Sequence, residues 1–144
     1  MATNISRLAI NASPERVWDV LTKPENVKLW QFGSLLETSW KVGEGIRFIS
    51  EWEGKTFEQW GTVLEYSSPE TLRYSLFAPG PGRVDTPENY FEMIYRLMDE
   101  NGHTKLEIIQ EDNRPGAVQE DVQGEENPVL KALKDVAEDN LQKQ

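Results

Sequence analysis

The pattern of hydrophobic and polar residues changes its period three times along this chain. After an opening strand-like run, hydrophobic residues follow a helical spacing behind Ser13-Pro14, which favour the cap and the first turn of a helix. Pro24 predicts a second short helix directly afterwards. The pattern then alternates in short runs, and it becomes helical again after Asn127-Pro128. We therefore predict one strand, two short helices, an antiparallel series of strands and a long final helix.

The middle of the chain predicts the strands of this α+β fold. Residues 5–12, 46–52, 56–66, 72–77, 90–98 and 104–110 favour strands. Tight turns are expected at Glu53-Gly54 and Asn101-Gly102. Residues 78–89 contain three prolines and two glycines, which predict a surface loop. We expect six or seven strands in one antiparallel sheet.

Alternation within these runs predicts which side chains face the interior. One set of alternate positions is mainly hydrophobic in each of four runs. These inward rows are Ile46, Phe48, Ser50 and Trp52; Leu72, Tyr74 and Leu76; Phe91, Met93, Tyr95 and Leu97; and Leu106 and Ile108. The run 56–66 has hydrophobic residues at both parities, and we place a bulge at Gly61 to explain the change of face.

The last segment predicts an amphipathic helix over residues 128–142, about 22 Å long. Its hydrophobic stripe consists of Val129, Leu130, Leu133, Val136, Ala137 and Leu141. Charged residues occupy the opposite side, where Lys131 and Asp135 are spaced as an ion pair. Such a helix buries one face, and the sheet is the surface available to cover it.

Composition limits the function classes. The 144 residues include 15 Lys and Arg against 25 Asp and Glu, a net charge of −10. Such a surface repels phosphate groups, so we predict no binding to nucleic acid or to a membrane. The chain has no cysteine, no apolar stretch of about 20 residues and no signal-like N-terminal pattern. We expect one domain over residues 1–144, located in the cytoplasm.

Four segments resemble a known group of proteins. They are residues 12–18 (ASPERVW), 42–45 (VGEG), 61–74 (GTVLEYSSPETLRY) and 129–134 (VLKALK). These motifs are similar to those of the START/SRPBCC (Bet v 1-like) superfamily, in its branch named after the activator of the heat-shock-protein-90 ATPase. The resemblance implies a helix-grip fold, with a curved antiparallel sheet wrapped around a long C-terminal helix. It also implies a hydrophobic cavity between that sheet and that helix.

Candidate ligand-binding residues come from the inward rows and from the helices beside them. Aromatic rings offer large apolar areas, and indole and phenol groups can orient a ligand. The candidates are Trp30, Phe48, Trp52, Trp60, Tyr74, Tyr95, Val129, Leu133 and Ala137, with Glu58, Gln59 and Gln110 as candidate polar residues of the cavity. We predict a protein that binds an apolar or aromatic small molecule between the sheet and the last helix.

Two alternatives follow from the resemblance. One is an enzyme of the aromatase/cyclase or dehydratase kind, for which Glu58, Tyr74 or Tyr95 would supply an acid or base. The other is regulation of a chaperone through a protein interface. We predict no cofactor and no metal site, because His103 is the only histidine and follows a turn signal. The non-enzymatic binding function is the one that we favour.

Overall fold

A computed structural model describes residues 2–31 and 33–138, without the side chain of Trp52. The elements in chain order are β1 (Ala2–Ile10), α1 (Pro14–Thr22), α2 (Pro24–Trp30), β2 (Leu35–Thr38), β3 (Gly45–Trp52), β4 (Lys55–Ser67), β5 (Thr71–Phe77), a 3₁₀ turn (Pro87–Asn89), β6 (Tyr90–Glu100), β7 (His103–Asp112) and α3 (Pro128–Ala137). The predicted order of strand, two helices, strands and helix is therefore confirmed.

Capping side chains start two of the three helices where the sequence predicts. The Ser13 hydroxyl accepts a hydrogen bond from the Arg16 amide, 3.2 Å away. The Asn127 side chain accepts one from the Val129 amide at 2.9 Å. The predicted end of the last helix, with Leu141, lies outside the described residues. Within residues 2–31 and 33–138, no helix is both long and apolar enough to cross a membrane.

The strands form one antiparallel sheet of seven strands in the order β1-β7-β6-β5-β4-β3-β2. The sheet is curved and unclosed, with β1 and β2 at its edges. Two-residue turns connect β3 to β4 and β6 to β7, and in each turn both central residues have positive φ. This is the backbone that Glu53-Gly54 and Asn101-Gly102 predict. The short strand β2 was missing from the sequence prediction.

One face of the sheet, which we call the inner face, carries the predicted rows and packs against the helices. Leu72, Leu76, Leu97 and Leu106 are buried there. The three helices pack on one another, and their main contacts with strands are to β1, β2, β6 and β7. The middle strands β3, β4 and β5 therefore rely less on helices for cover.

The strand β4 changes face at a bulge, but the predicted position was wrong. The register between β4 and β5 shifts between Val63 and Glu65, not at Gly61. The extra residue turns both Val63 and Tyr66 to the inner face, although their positions have opposite parity. Gly61 serves a different purpose, because a Cβ there would lie 1.8 Å from the backbone oxygen of Ser75. The sheet therefore requires a residue without a side chain at this position.

We predict that Gly61→Ala destabilises the protein by about 3 kcal/mol, since β4 and β5 must separate to admit the methyl group. Gly45→Ala is the matched control, because the nearest atom to its Cβ is 3.8 Å away. The control changes the free energy of unfolding by less than about 1 kcal/mol. Urea unfolding measures both values. Equal effects of the two substitutions would contradict the close approach at Gly61.

Candidate functional site

The inner face contains a pocket of about 250 Å³, which we call the inner-face pocket. Strands β3, β4, β5 and β6 supply most of its walls, and the connection between α2 and β2 supplies the rest. The lining residues are Gln31, Ser34, Phe48, Ser50, Phe57, Gln59, Tyr74, Leu76, Phe91, Met93 and Tyr95. The pocket thus lies where the middle of the sheet has least helical cover.

Exposure distinguishes the base of the pocket from its mouth. Tyr74 and Tyr95 are 3% and 5% exposed, and they lie at the base with Leu76. Phe57 is 52% exposed, and Gln59 is also exposed. These two residues of β4 therefore mark the mouth, at the free end of the β3–β4 hairpin.

Two pairs of hydroxyl groups supply much of the pocket's polarity. The hydroxyls of Tyr74 and Tyr95 lie 3.0 Å apart at the base. Those of Ser34 and Ser50 lie 2.6 Å apart and join the α2–β2 connection to β3. Two glutamine amides complete the polar groups. Among the described residues, no charged side chain lines the pocket.

Burial fixes the protonation state of the two tyrosines. It raises the pKa of Tyr74 well above the ordinary tyrosine value, and it also raises the pKa of Tyr95. Both phenols are therefore protonated at neutral pH. In this state they act as hydrogen-bond donors and acceptors, and neither is a ready general base.

Aromatic contacts hold the base in place from one side. The Tyr74 ring contacts Phe48, Tyr95 and Trp40, with ring centroids 5.8, 5.9 and 6.2 Å away. Trp40 has a φ of +59°, which is unusual for a bulky residue. Its indole N–H donates to the Thr22 carbonyl at 2.8 Å, and its ring stacks on Tyr66. Trp40 thereby connects the end of α1 to the base of the pocket.

Four of the predicted site residues line the pocket together. Phe48, Tyr74 and Tyr95 belong to three different strands and meet at the base. Gln59 joins them from the mouth. Alternation had placed the three aromatic residues in inward rows, and the observed faces agree with it.

The candidates from the helices lie outside the pocket. Trp30 is buried in the core, where its indole N–H donates to the Val20 carbonyl at 2.9 Å. Leu133 and Ala137 are buried core residues of α3, and Val129 is partly exposed in its first turn. None of these four is among the described lining residues. The pocket therefore lies against the α2–β2 connection and not against the described part of α3.

Two further candidates face away from the pocket. The indole of Trp60 packs on Phe77 with centroids 5.3 Å apart, and its N–H donates to Asp85 at 3.0 Å. These contacts lie on the outer face of the sheet. Glu58 also faces outward, where its carboxylate lies 3.8 Å from the Arg47 guanidinium. Trp60 was a candidate for the cavity, but it precedes the bulge and has the opposite parity to Val63, which faces inward, so its side chain lies on the other face.

The last two predicted site residues are Gln110 and Trp52. Gln110 occupies the inner row of β7 but lines two neighbouring polar hollows instead of the inner-face pocket. Trp52 ends β3, and its side chain lies outside the described part of the structure.

Sequence reasoning also missed lining residues. Gln31 and Ser34 lie in the connection that precedes the unpredicted strand β2, so no signal had placed them beside the sheet. Phe57 has the same parity as Val63, which is fully buried on the inner face. That shared parity could have identified it. The remaining members, which are Ser50, Leu76, Phe91 and Met93, stood in the inward rows but had not been selected.

The fold defines the class of protein. A curved antiparallel sheet, two short helices after the first strand and a C-terminal helix constitute the helix-grip architecture of the SRPBCC superfamily. Residues 11–138 match the family described as Activator of Hsp90 ATPase homolog 1-like protein. The chain therefore belongs to this family.

Solved structures agree with this assignment. A protein of Cytophaga hutchinsonii is 31% identical, with a TM-score of 0.68, over 99% of this chain and 88% of that one. The Aha1 dimer of Colwellia psychrerythraea is 19% identical, with a TM-score of 0.65, over 96% and 97% of the two chains. An Hsp90 activator from Plasmodium falciparum is 19% identical, with a TM-score of 0.63, over 81% and 76%. Comparison with curated proteins gives no match.

We predict a non-additive response when the two phenols at the base are removed. Tyr74→Phe or Tyr95→Phe alone lowers the free energy of unfolding by about 1 kcal/mol, because the remaining hydroxyl loses its partner in a buried place. The double variant costs less than the sum, since it removes both polar groups together. Urea unfolding of the four proteins gives the coupling energy.

A control cycle combines Tyr95→Phe with Tyr90→Phe. The Tyr90 hydroxyl lies on the outer face and donates to Asp85 at 2.6 Å, so the two effects are expected to add. Additivity in the Tyr74–Tyr95 cycle as well would show that the two hydroxyls do not stabilise each other.

Proposed function

We propose that this protein binds a small, uncharged molecule with an aromatic or apolar body in the inner-face pocket. The observation that carries the proposal is the pairing of aromatic walls with neutral polar groups. Phe48, Phe57, Phe91 and the two tyrosines supply five rings. Concave sites that combine apolar walls with a few placed polar groups are typical of ligand pockets.

The absence of charge among the described lining residues restricts the ligand further. Moving an ionised group out of water is costly unless an opposite charge meets it. The lining provides hydroxyls and amides only. The buried part of the ligand is therefore expected to be neutral, although the protein surface carries a net charge of −10.

The volume of the pocket sets the size of what it can enclose. A cavity of about 150 Å³ holds benzene, so a pocket of about 250 Å³ encloses roughly ten non-hydrogen atoms. A fragment of that size binds with a dissociation constant in roughly the millimolar to high-micromolar range. Tighter ligands would extend through the mouth between Phe57 and the α2–β2 connection.

A substitution at the mouth tests this proposal. Gln59 is exposed and lines the pocket, so Gln59→Trp puts an indole at the mouth with little cost to the core. Titration of neutral bicyclic fragments, followed by NMR chemical shifts of the protein, is expected to show at least about tenfold weaker binding in this variant.

Glu58→Trp is the matched control, because Glu58 is the preceding residue and faces outward. Fragment binding by this variant is expected to equal that of the unmodified protein. If both tryptophan variants weaken binding equally, the fragments bind elsewhere. If no fragment in the panel binds at millimolar concentration, the proposal is wrong.

A second candidate function is regulation of an Hsp90-type chaperone. The family description and the Plasmodium falciparum neighbour both name this activity. The inner-face pocket leaves the outer face of the sheet available for a protein contact. This candidate is compatible with ligand binding, because the two functions would use different surfaces.

We expect the purified protein to raise the ATPase rate of an Hsp90-type chaperone in a saturable manner. The Gln59→Trp variant, which blocks the pocket, is expected to act equally well if the contact lies on the outer face. Native mass spectrometry of the mixture reports complex formation independently of turnover. An unchanged rate together with the absence of a complex would reject the chaperone function.

A further inference from the structure

The Tyr74 and Tyr95 hydroxyls at the base of the inner-face pocket carry two hydrogens, but the hydrogen bond between them uses only one. Each neutral tyrosine hydroxyl carries one hydrogen. The 3.0 Å contact between the Tyr74 and Tyr95 oxygens uses one of the two as donor. Within the described residues, neither oxygen has another hydrogen-bond partner. One hydroxyl hydrogen is therefore left without a protein acceptor.

Because this remaining hydrogen is buried, leaving it without an acceptor costs free energy. Tyr74 and Tyr95 are both more than nine-tenths buried, and both line the pocket. A buried donor without an acceptor is unfavourable, and proteins rarely leave one in place. The rings around the pair offer it no oxygen, since the base is completed by Phe48 and Leu76. The missing acceptor has to come from whatever occupies the pocket.

We propose that the ligand carries an uncharged acceptor oxygen, of the ketone carbonyl class, which accepts the free hydroxyl hydrogen of the Tyr74–Tyr95 pair. This inference rests on the proposed function and specifies its ligand. A carbonyl oxygen fits because it accepts without bringing a hydrogen that needs its own partner. A carboxylate does not fit, because the described lining offers no cation to it.

The test compares two probes that differ only at the acceptor. 1-Indanone and indane have ten and nine non-hydrogen atoms, and one carries a carbonyl where the other has a methylene group. Without a donor in the pocket, indane binds more tightly, because the ketone gives up its hydrogen bonds to water. The ratio of their dissociation constants, measured by NMR titration, therefore reports whether the ketone meets a hydrogen-bond donor in the pocket.

Phenylalanine variants identify the source of the donor. Tyr74→Phe and Tyr95→Phe singly each leave one hydroxyl with its hydrogen, so the preference for 1-indanone is expected to persist. The double variant removes both, and the ratio is expected to shift towards indane on the order of tenfold. Tyr90→Phe, which removes a hydroxyl from the outer face, is expected to leave the ratio unchanged.

A second measurement does not depend on the double variant being folded. Difference infrared spectra of ¹³C-carbonyl 1-indanone bound to the unmodified protein are expected to show a carbonyl stretch below its position in an alkane solvent. The outcomes separate the two proposals. If neither probe binds, both fail. If both probes bind but the stretch matches that in alkane, or the double variant keeps the ratio, only the acceptor inference fails and water satisfies the pair.

Discussion

The rest of this structure depends on one constraint: the inner face of the sheet has to be shielded from water. Seven strands have six spacings, so the sheet is about 29 Å wide before it curves. The described helices have 9, 7 and 10 residues and are each about 10 to 15 Å long. They pack on one another and mainly against β1, β2, β6 and β7. The middle strands must therefore cover their inner face largely with their own side chains.

Aromatic side chains provide that cover, and they explain why the pocket is polar at its base. The rings of Phe48, Tyr74 and Tyr95 span from β3 to β6 and fill space that a helix does not occupy. These rings do not fill the space completely, and the gap that they leave is the inner-face pocket. Two of the rings bring hydroxyls into a buried place, where each needs a partner. The hydrogen bond between the two hydroxyls gives one of their hydrogens an acceptor. The second hydrogen remains for a molecule in the pocket to accept.

The sequence predicted the parts of this arrangement that depend on local alternation. Tyr74 and Tyr95 lie in regular strands, so the period of two places them correctly on the inner face. Prediction failed where one residue changes the register. The bulge lies between Val63 and Glu65 instead of at Gly61, so alternation continues unbroken from Trp60 to Val63. Val63 faces inward, and Trp60, at the opposite parity, faces outward. The amphipathic stripe of α3 indicated that Leu133 is buried, but it carried no information about which strands lie opposite.

The pocket differs from the outer face of the sheet in its charged groups. The outer face carries cross-strand ion pairs, such as Arg47 with Glu37 and Arg73 with Glu92, whereas the described lining of the pocket has none. Ligand choice in such a pocket depends on shape and on single hydrogen bonds, since long-range attraction does not select a neutral molecule. A protein partner, in contrast, would meet a strongly acidic surface, where long-range charge attraction does contribute to the choice of partner. Among the described lining residues, only Tyr74 lies in a family motif, so the ligand that we propose rests mainly on this chain's own tyrosines, serines and glutamines.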